Sequence, residues 1–346
     1  MATRKKINLA LQGGGAHGAF TWGVIDGLIE DGRIEIEGIS GTSAGAINAV
    51  MVADGLANGG PRVACERLAG FWKAVSVDGE LPAFQRQVID RLFSFLPIDG
   101  SPVQNWFDAL SRFWSPYDIN PLHINPLKDV IDRFVDFDAV QTFAGPPLFV
   151  SATNVHTGRL AVFPREKITA DVVMASACLP LMFQAVEIDG VPYWDGGYLA
   201  NPAIFPFFRT TESEDVLLVQ INPVELNMTP RTQSEILNRI NEVTFNSSLI
   251  AEFRAIEFVL RLIDDGRLPR GLGPGEYRRV NVHRIALDSV FDKLTAASKL
   301  DSDYDFFEML RAGGRTASHM FLKDHFDDIG VRGTVDLAAE SRAEMM

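Results

Sequence analysis

Cysteine is scarce. Only Cys65 and Cys178 occur in 346 residues, too few for a disulfide framework, so a reducing compartment is the simpler setting. No apolar run approaches the ~20 residues that a membrane-spanning helix requires. Arg4, Lys5 and Lys6 look like the charged start of a secretory signal, but the apolar stretch after them is broken by Asn8 and runs at once into glycine, a poor match to such a segment. No basic block offsets the formal net charge of -13, which repels nucleic-acid phosphates and, on average, anionic lipid head groups. Nucleic acid is therefore disfavoured as a partner. No internal repeat is visible, and the expectation is a cytoplasmic protein with at most peripheral membrane contact.

What is present is ordinary globular material, 47% hydrophobic and 22% charged, in a chain long enough for a large core. KINLALQ is a strand candidate, glycines follow, and AFTWGVIDGLIEDG has helical spacing up to Gly32. IEIEGIS alternates as a strand does, SGTSAG follows, and AINAVMVADGL reads as a helix. Strand, turn, helix, repeated, predicts an α/β fold whose ligands lie at the carboxyl ends of parallel strands. Residues 81–126 differ: Phe84, Phe93, Phe95, Trp106, Phe107, Phe113, Trp114 and Tyr117 stand among prolines, and the stretch reads as an inserted cap. Within it Trp106, Phe107, Leu110, Phe113 and Trp114 fall on one helical face, which is either core or an exposed apolar surface. Strands resume after residue 146, with hairpin turns near Thr157-Gly158 and at Asp189-Gly190. VLLVQIN, 216–222, is apolar throughout, like a strand buried on both faces. A helical stretch over 232–263, the strand VNVHRIAL and a mainly helical end complete the chain.

The loop QGGGAHG carries Gly13, Gly15 and Gly18 at the G-x-G-x-x-G spacing that holds a dinucleotide's pyrophosphate on backbone N–H groups. The same donors suit any developing negative charge, including the oxyanion formed when a nucleophile attacks an ester. A dinucleotide site wants an acid about 20 residues on. Glu35 and Glu37 are near that distance, but the strand continues past them into a second turn.

That second turn is Gly41-Thr42-Ser43-Ala44-Gly45, a G-x-S-x-G between strand and helix. In this context the small residues let the chain turn sharply and push the serine out as a nucleophile. A serine capping a helix between turn glycines has the same spacing. A hydrolase also needs a base. His123, His156, His283, His319 and His325 have no distinguishing context, and His17 sits inside the glycine loop. Asp195 is the other candidate: it follows Tyr193-Trp194, precedes Gly196-Gly197, and once desolvated would have a raised pKa suited to accepting a serine proton.

Taken in order, QGGGAHG, GTSAG and DGG resemble the three signature elements of the patatin-like phospholipases. The ATNVHTGRLAVF hairpin and ASACLPLMF add to a resemblance that covers residues 7 to about 222. It implies a three-layer α/β/α sandwich with a mainly parallel sheet and a catalytic domain over 1–222; the aromatic-rich helical cap inserted over about 81–126, and a mainly helical region over 223–346 packed on that domain, are read from the residues and have no counterpart in the matched pattern. The resemblance further implies Ser43 as nucleophile, Asp195 as general base, and Gly13, Gly14 and Gly15 as the oxyanion hole, with Gly18, Gly41, Gly45, Gly196 and Gly197 in support. The substrate would be a lipid or other acyl ester, with no metal and no cofactor; a homo-oligomer is compatible. A soluble carboxylesterase or thioesterase on the same fold, and a dinucleotide-binding module, are the alternatives. The chain departs from the pattern at Gln12, where many members have an acid before the glycine run.

Overall fold

The computed structural model describes residues 4–76, 115–120, 125–180, 182–226, 229–271, 276–291, 303–340 and 342. Most of the expected cap, including the stripe from Trp106 to Trp114, lies outside the described residues, as does His123. Among the described residues eight strands form one sheet: β1 (Lys5–Leu11), β2 (Ile34–Gly41), β3 (Leu148–Asn154), β4 (Arg159–Pro164), β5 (Val186–Ile188), β6 (Val191–Asp195), β7 (Asp215–Gln220) and β8 (Asn281–Ala286). Their order is β5-β6-β3-β2-β1-β7-β8, with β4 also on β3. The run β3-β2-β1-β7-β8 is parallel, whereas β4 and β6 are antiparallel to β3.

The central strands are buried on both faces, which is why they read as continuous apolar runs. Leu217 and Val219 of β7 enter one core and Val216 and Leu218 the other, as Leu9 and Leu11 oppose Ala10 in β1. Against the first face lie α1 (Gly18–Asp31), α2 (Ala44–Ala57), α3 (Pro61–Ala74), α4 (Pro126–Phe134) and α5 (Ala170–Ser176). The long α6 (Gln233–Asp264) supplies Leu249, Phe253 and Ile256 to the second. The last long helix, α7 (Tyr304–His325), returns to the first face through Phe307, Leu310 and Phe321. The three-layer α/β/α sandwich with a mostly parallel sheet is the architecture expected.

Turn chemistry accounts for the boundaries. Helix α1 stops where Gly32 adopts φ 72 and its N–H bonds to Leu28 O, a left-handed glycine cap. Asp189 and Gly190, with φ 51 and 76, give the two positive dihedrals of a tight hairpin turn. β8 pairs in parallel with β7, so the sheet itself crosses the expected division after residue 222.

One feature of β3 positions everything that follows. Its first half pairs with β2, where Gly41 faces Val150, and its second half pairs with β6, where Asp195 faces Ala152. Because β2 is parallel to β3 and β6 antiparallel, the carboxyl ends of β2 and β6 point at each other. Two residues of β3 separate them, roughly 7 Å.

Candidate active site

The serine turn leaves β2 and enters α2. Ser43 has φ 54 and ψ -123, a left-handed conformation that costs a non-glycine residue of order 1–3 kcal/mol and concentrates at functional turns. It stands at the N-cap position of α2 but its side chain makes no capping hydrogen bond, so capping does not account for the hydroxyl. The turn is tight: a Cβ on Gly45 would lie 2.1 Å from Leu11 O, and one on Gly41 2.4 Å from Gly45 O. Two further bonds hold it. Ser43 N–H donates to Ser176 Oγ at 2.9 Å, and Thr42 Oγ1 donates to Ala200 O at 2.9 Å.

Asp195 arrives at the end of β6, where its N–H donates to Cys178 O at 2.7 Å and its carbonyl accepts from Thr153 Oγ1 at 2.8 Å. The side chain is fully buried. Oδ1 accepts from Gly197 N–H at 2.7 Å. Oδ2 is equally buried and has no hydrogen bond of normal geometry among the described residues, though the Ser43 side chain is near enough to favour the ionised form. Burial pushes the carboxyl up to about 7, against the Gly197 N–H and Ser43. The same burial and the Asp195 charge raise Tyr198, and push the Cys178 thiol up to about 12. Gly196 and Gly197 are required here: a Cβ would lie 2.2 Å from Ser151 O at the first and 2.9 Å from the Phe245 ring at the second.

The glycine loop follows β1 and lies against the serine turn, with the Cβ position of Gly13 only 2.6 Å from Ser43 Cβ. Gly15 has φ 60 and starts a short 3-10 turn over Gly15–His17 that leads into α1. Gly18 packs on Ala44 and Trp72. Gly13 differs from its neighbours, since its N–H donates to Asn201 Oδ1 at 2.7 Å. The three glycines expected as a donor set are thus unequal, because the Gly13 N–H is already spent on Asn201.

Gln12, the departure from the acidic pattern, is fully buried. Its Oε1 accepts from Ile221 N and Asn222 N, both at 3.0 Å, and from Asn222 Nδ2 at 3.2 Å. Its Nε2 donates to Asn246 Oδ1 at 3.2 Å. An amide does what a carboxylate cannot, accepting at one end and donating at the other.

Ser43, Asp195 and the glycine loop therefore come together at one edge of the sheet. Glu35 and Glu37 do not. They stand in the first half of β2, where Glu35 is paired with Lys6, six and four residues before Gly41, so Glu35 is roughly 20 Å along the strand from the glycine turn. His283 is fully buried, with Nε2 2.9 Å from Asp215 Oδ1 and Nδ1 3.3 Å from Thr334 Oγ1, a satisfied core side chain near the start of β7. His156 and His319 are exposed, and His325 pairs with Asp328. His17 is buried within the loop. A cavity of about 800 Å³ between α6 and the segment 205–211 contains none of these groups. The residues missed in the sequence are Ser176, Asn201, Asn222 and Asn246, whose ordinary side chains carry no chemical signature; the ASACLPLMF stretch, already singled out, was the one pointer to Ser176.

The sequence model of the patatin-like phospholipase family matches residues 9–208. No curated protein sequence matches the chain. Among solved structures the chain is similar to the crystal structure of VipD from Legionella pneumophila, with a TM-score of 0.45 and 17% identity, over 94% of this chain and 68% of that one.

Proposed function

The chain belongs to the patatin-like phospholipase family, and from that premise we propose that it is a serine-dependent lipid acyl hydrolase working through a Ser43–Asp195 dyad. The family supports lipid acyl hydrolysis in general. The finer reading rests on one observation: β2 and β6 end head-on along β3, bringing a strained serine against a buried carboxyl that burial has made basic.

The chemistry then runs on this chain's own groups. Asp195 Oδ2 accepts the Ser43 proton as Oγ attacks the ester carbonyl carbon, and the carbonyl oxygen becomes an oxyanion facing the N–H groups of Gly14 and Gly15. Collapse breaks the carbon–oxygen bond to the leaving alcohol, which takes the proton back from Asp195. A water, deprotonated by Asp195, attacks the acyl-serine carbonyl; collapse breaks the carbon–Oγ bond, Ser43 Oγ takes the proton back from Asp195, and the fatty acid is released. Residues 1–222 hold every group in this cycle; 223–346 supplies β8, α6 and α7 around it. No helix among the described residues is long and apolar enough to cross a membrane, and we propose a lipid or other acyl ester met in solution or at a membrane surface.

The test is covalent labelling with a fluorophosphonate followed by peptide mapping. The expected adduct is on Ser43, with none in Ser43→Ala. Labelling elsewhere, or equal labelling of the variant, refutes the nucleophile.

A further inference from the structure

The peptide linking Gly13 to Gly14 is gripped by two buried amides. Gly13 O accepts from Asn222 Nδ2 at 2.6 Å and from Asn201 Nδ2 at 3.4 Å, while Gly13 N–H donates to Asn201 Oδ1. Asn201 and Asn222 are 0% and 2% exposed. A trans peptide is planar, with its C=O and the following N–H pointing in opposite directions. Fixing the carbonyl of Gly13 on Asn222 therefore directs the N–H of Gly14 away from both asparagines. Glycine on each side supplies no Cβ to choose between the two orientations of this peptide. The choice falls to whatever meets the carbonyl.

The Asn222 amide is itself held one way round. Its Nδ2 faces two acceptors, Gly13 O and Gln12 Oε1, and Gln12 Oε1 is fixed in turn by the backbone N–H groups of Ile221 and Asn222. At the far end Asn246 donates through Nδ2 to Pro223 O at 2.9 Å, which leaves its Oδ1 for Gln12 Nε2. Backbone groups at both ends thus dictate the orientation of every amide between them.

We infer that Asn222, seconded by Asn201, is a positioning residue for the reaction: it sets the Gly13–Gly14 peptide so that the Gly14 N–H is presented to the developing oxyanion. This rests on the hydrolase reading above. Preorganised donors matter because they need no reorientation as the charge forms, and a run of glycines has that property only if another group supplies it.

Asn222→Asp tests the inference with little change of shape. The new carboxylate would set an oxygen against Gly13 O and Gln12 Oε1, and reversal of the Gly13–Gly14 peptide relieves the first of these clashes by turning the Gly14 N–H toward the carboxylate. The expected crystal structure of the variant has this peptide reversed, and kcat for ester hydrolysis falls by roughly 10²–10³-fold, as for loss of one oxyanion donor, with KM changed by less than about threefold. Asn222→Ala removes the donor without adding an acceptor and serves if the first variant does not fold; its kcat should fall by about tenfold with the same unchanged KM. An unreversed peptide with kcat near wild type, or a reversed peptide with kcat near wild type, overturns the positioning role alone. A wild-type chain that takes no fluorophosphonate at Ser43 instead overturns the hydrolase reading, and with it the purpose of the clamp.

Discussion

Gln12 stands where many family members have an acid, and its buried neighbours account for the amide. It faces three N–H donors on one side and the acceptor Asn246 Oδ1 on the other. Replacing it by glutamate sets an oxygen against Asn246 Oδ1, and Asn246 cannot turn over without losing its bond to Pro223 O. Gln12→Glu should therefore destabilise the fold by about 2–4 kcal/mol, the range for burying an unpaired acceptor or charge, read from denaturant midpoints at pH 7. Stability equal to wild type would mean that the network is not worth what its geometry suggests. At this scale the candidate residues that the structure brings together were legible. Ser43 sits in a recognisable turn and Asp195 before two glycines, whereas Asn201, Asn222 and Ser176 act by hydrogen bonds that join residues more than 130 apart in sequence, which no local pattern records.

Elements were legible where turn residues and periodicity agree. The two opening strands, the helices after them and the long helix from Thr232 onward all stand within a residue or two of their expected places, the last with Thr232 and Glu235 forming a capping box. Sheet order was not legible, because pairing between β3 and β6 joins segments separated by a helix and a hairpin, and periodicity says nothing of which edge a strand will take. The same holds for the crossing of α1 and α7. A Cβ on Gly23 would lie 2.0 Å from Arg311 O, and one on Gly314 2.2 Å from Phe20 O, so the helices touch backbone to backbone. Nearby, Arg311 Nε meets Asp26 Oδ2 at 2.8 Å, and burial still raises the Asp26 carboxyl despite that guanidinium. Gly23→Ala should force these helices apart and cost roughly 1–3 kcal/mol or more, as overpacking does, although alanine is the better helix former by about 1 kcal/mol. Thermal unfolding decides the sign. A higher Tm in Gly23→Ala would show that the contact yields easily.

Across the whole molecule the site is held at a cost in stability that depends on pH. The Asp195 carboxyl goes from the ordinary 3.8 to about 7 on folding, so the folded chain binds its proton more tightly than the unfolded chain does. No penalty exists below pH 4; it grows as pH rises and is complete above pH 7, where it reaches on the order of 4 kcal/mol. Asparagine carries no such charge and can still accept from Gly197 N–H. Asp195→Asn should accordingly have a higher Tm than wild type at pH 8, with the difference vanishing near pH 4. A difference that does not change with pH would say that the carboxyl is not forced to ionise in a buried site.

In the proposed mechanism one buried carboxylate, with no imidazole, serves as base to Ser43. The most direct measurement is the rate of ester hydrolysis by folded Asp195→Asn at pH 8, beside wild type and Ser43→Ala. Both variants should lose several orders of magnitude together, as members of one catalytic unit do. Hydrolysis by Asp195→Asn within about tenfold of wild type, while Ser43→Ala is inactive, would contradict the mechanism and assign the proton to another base.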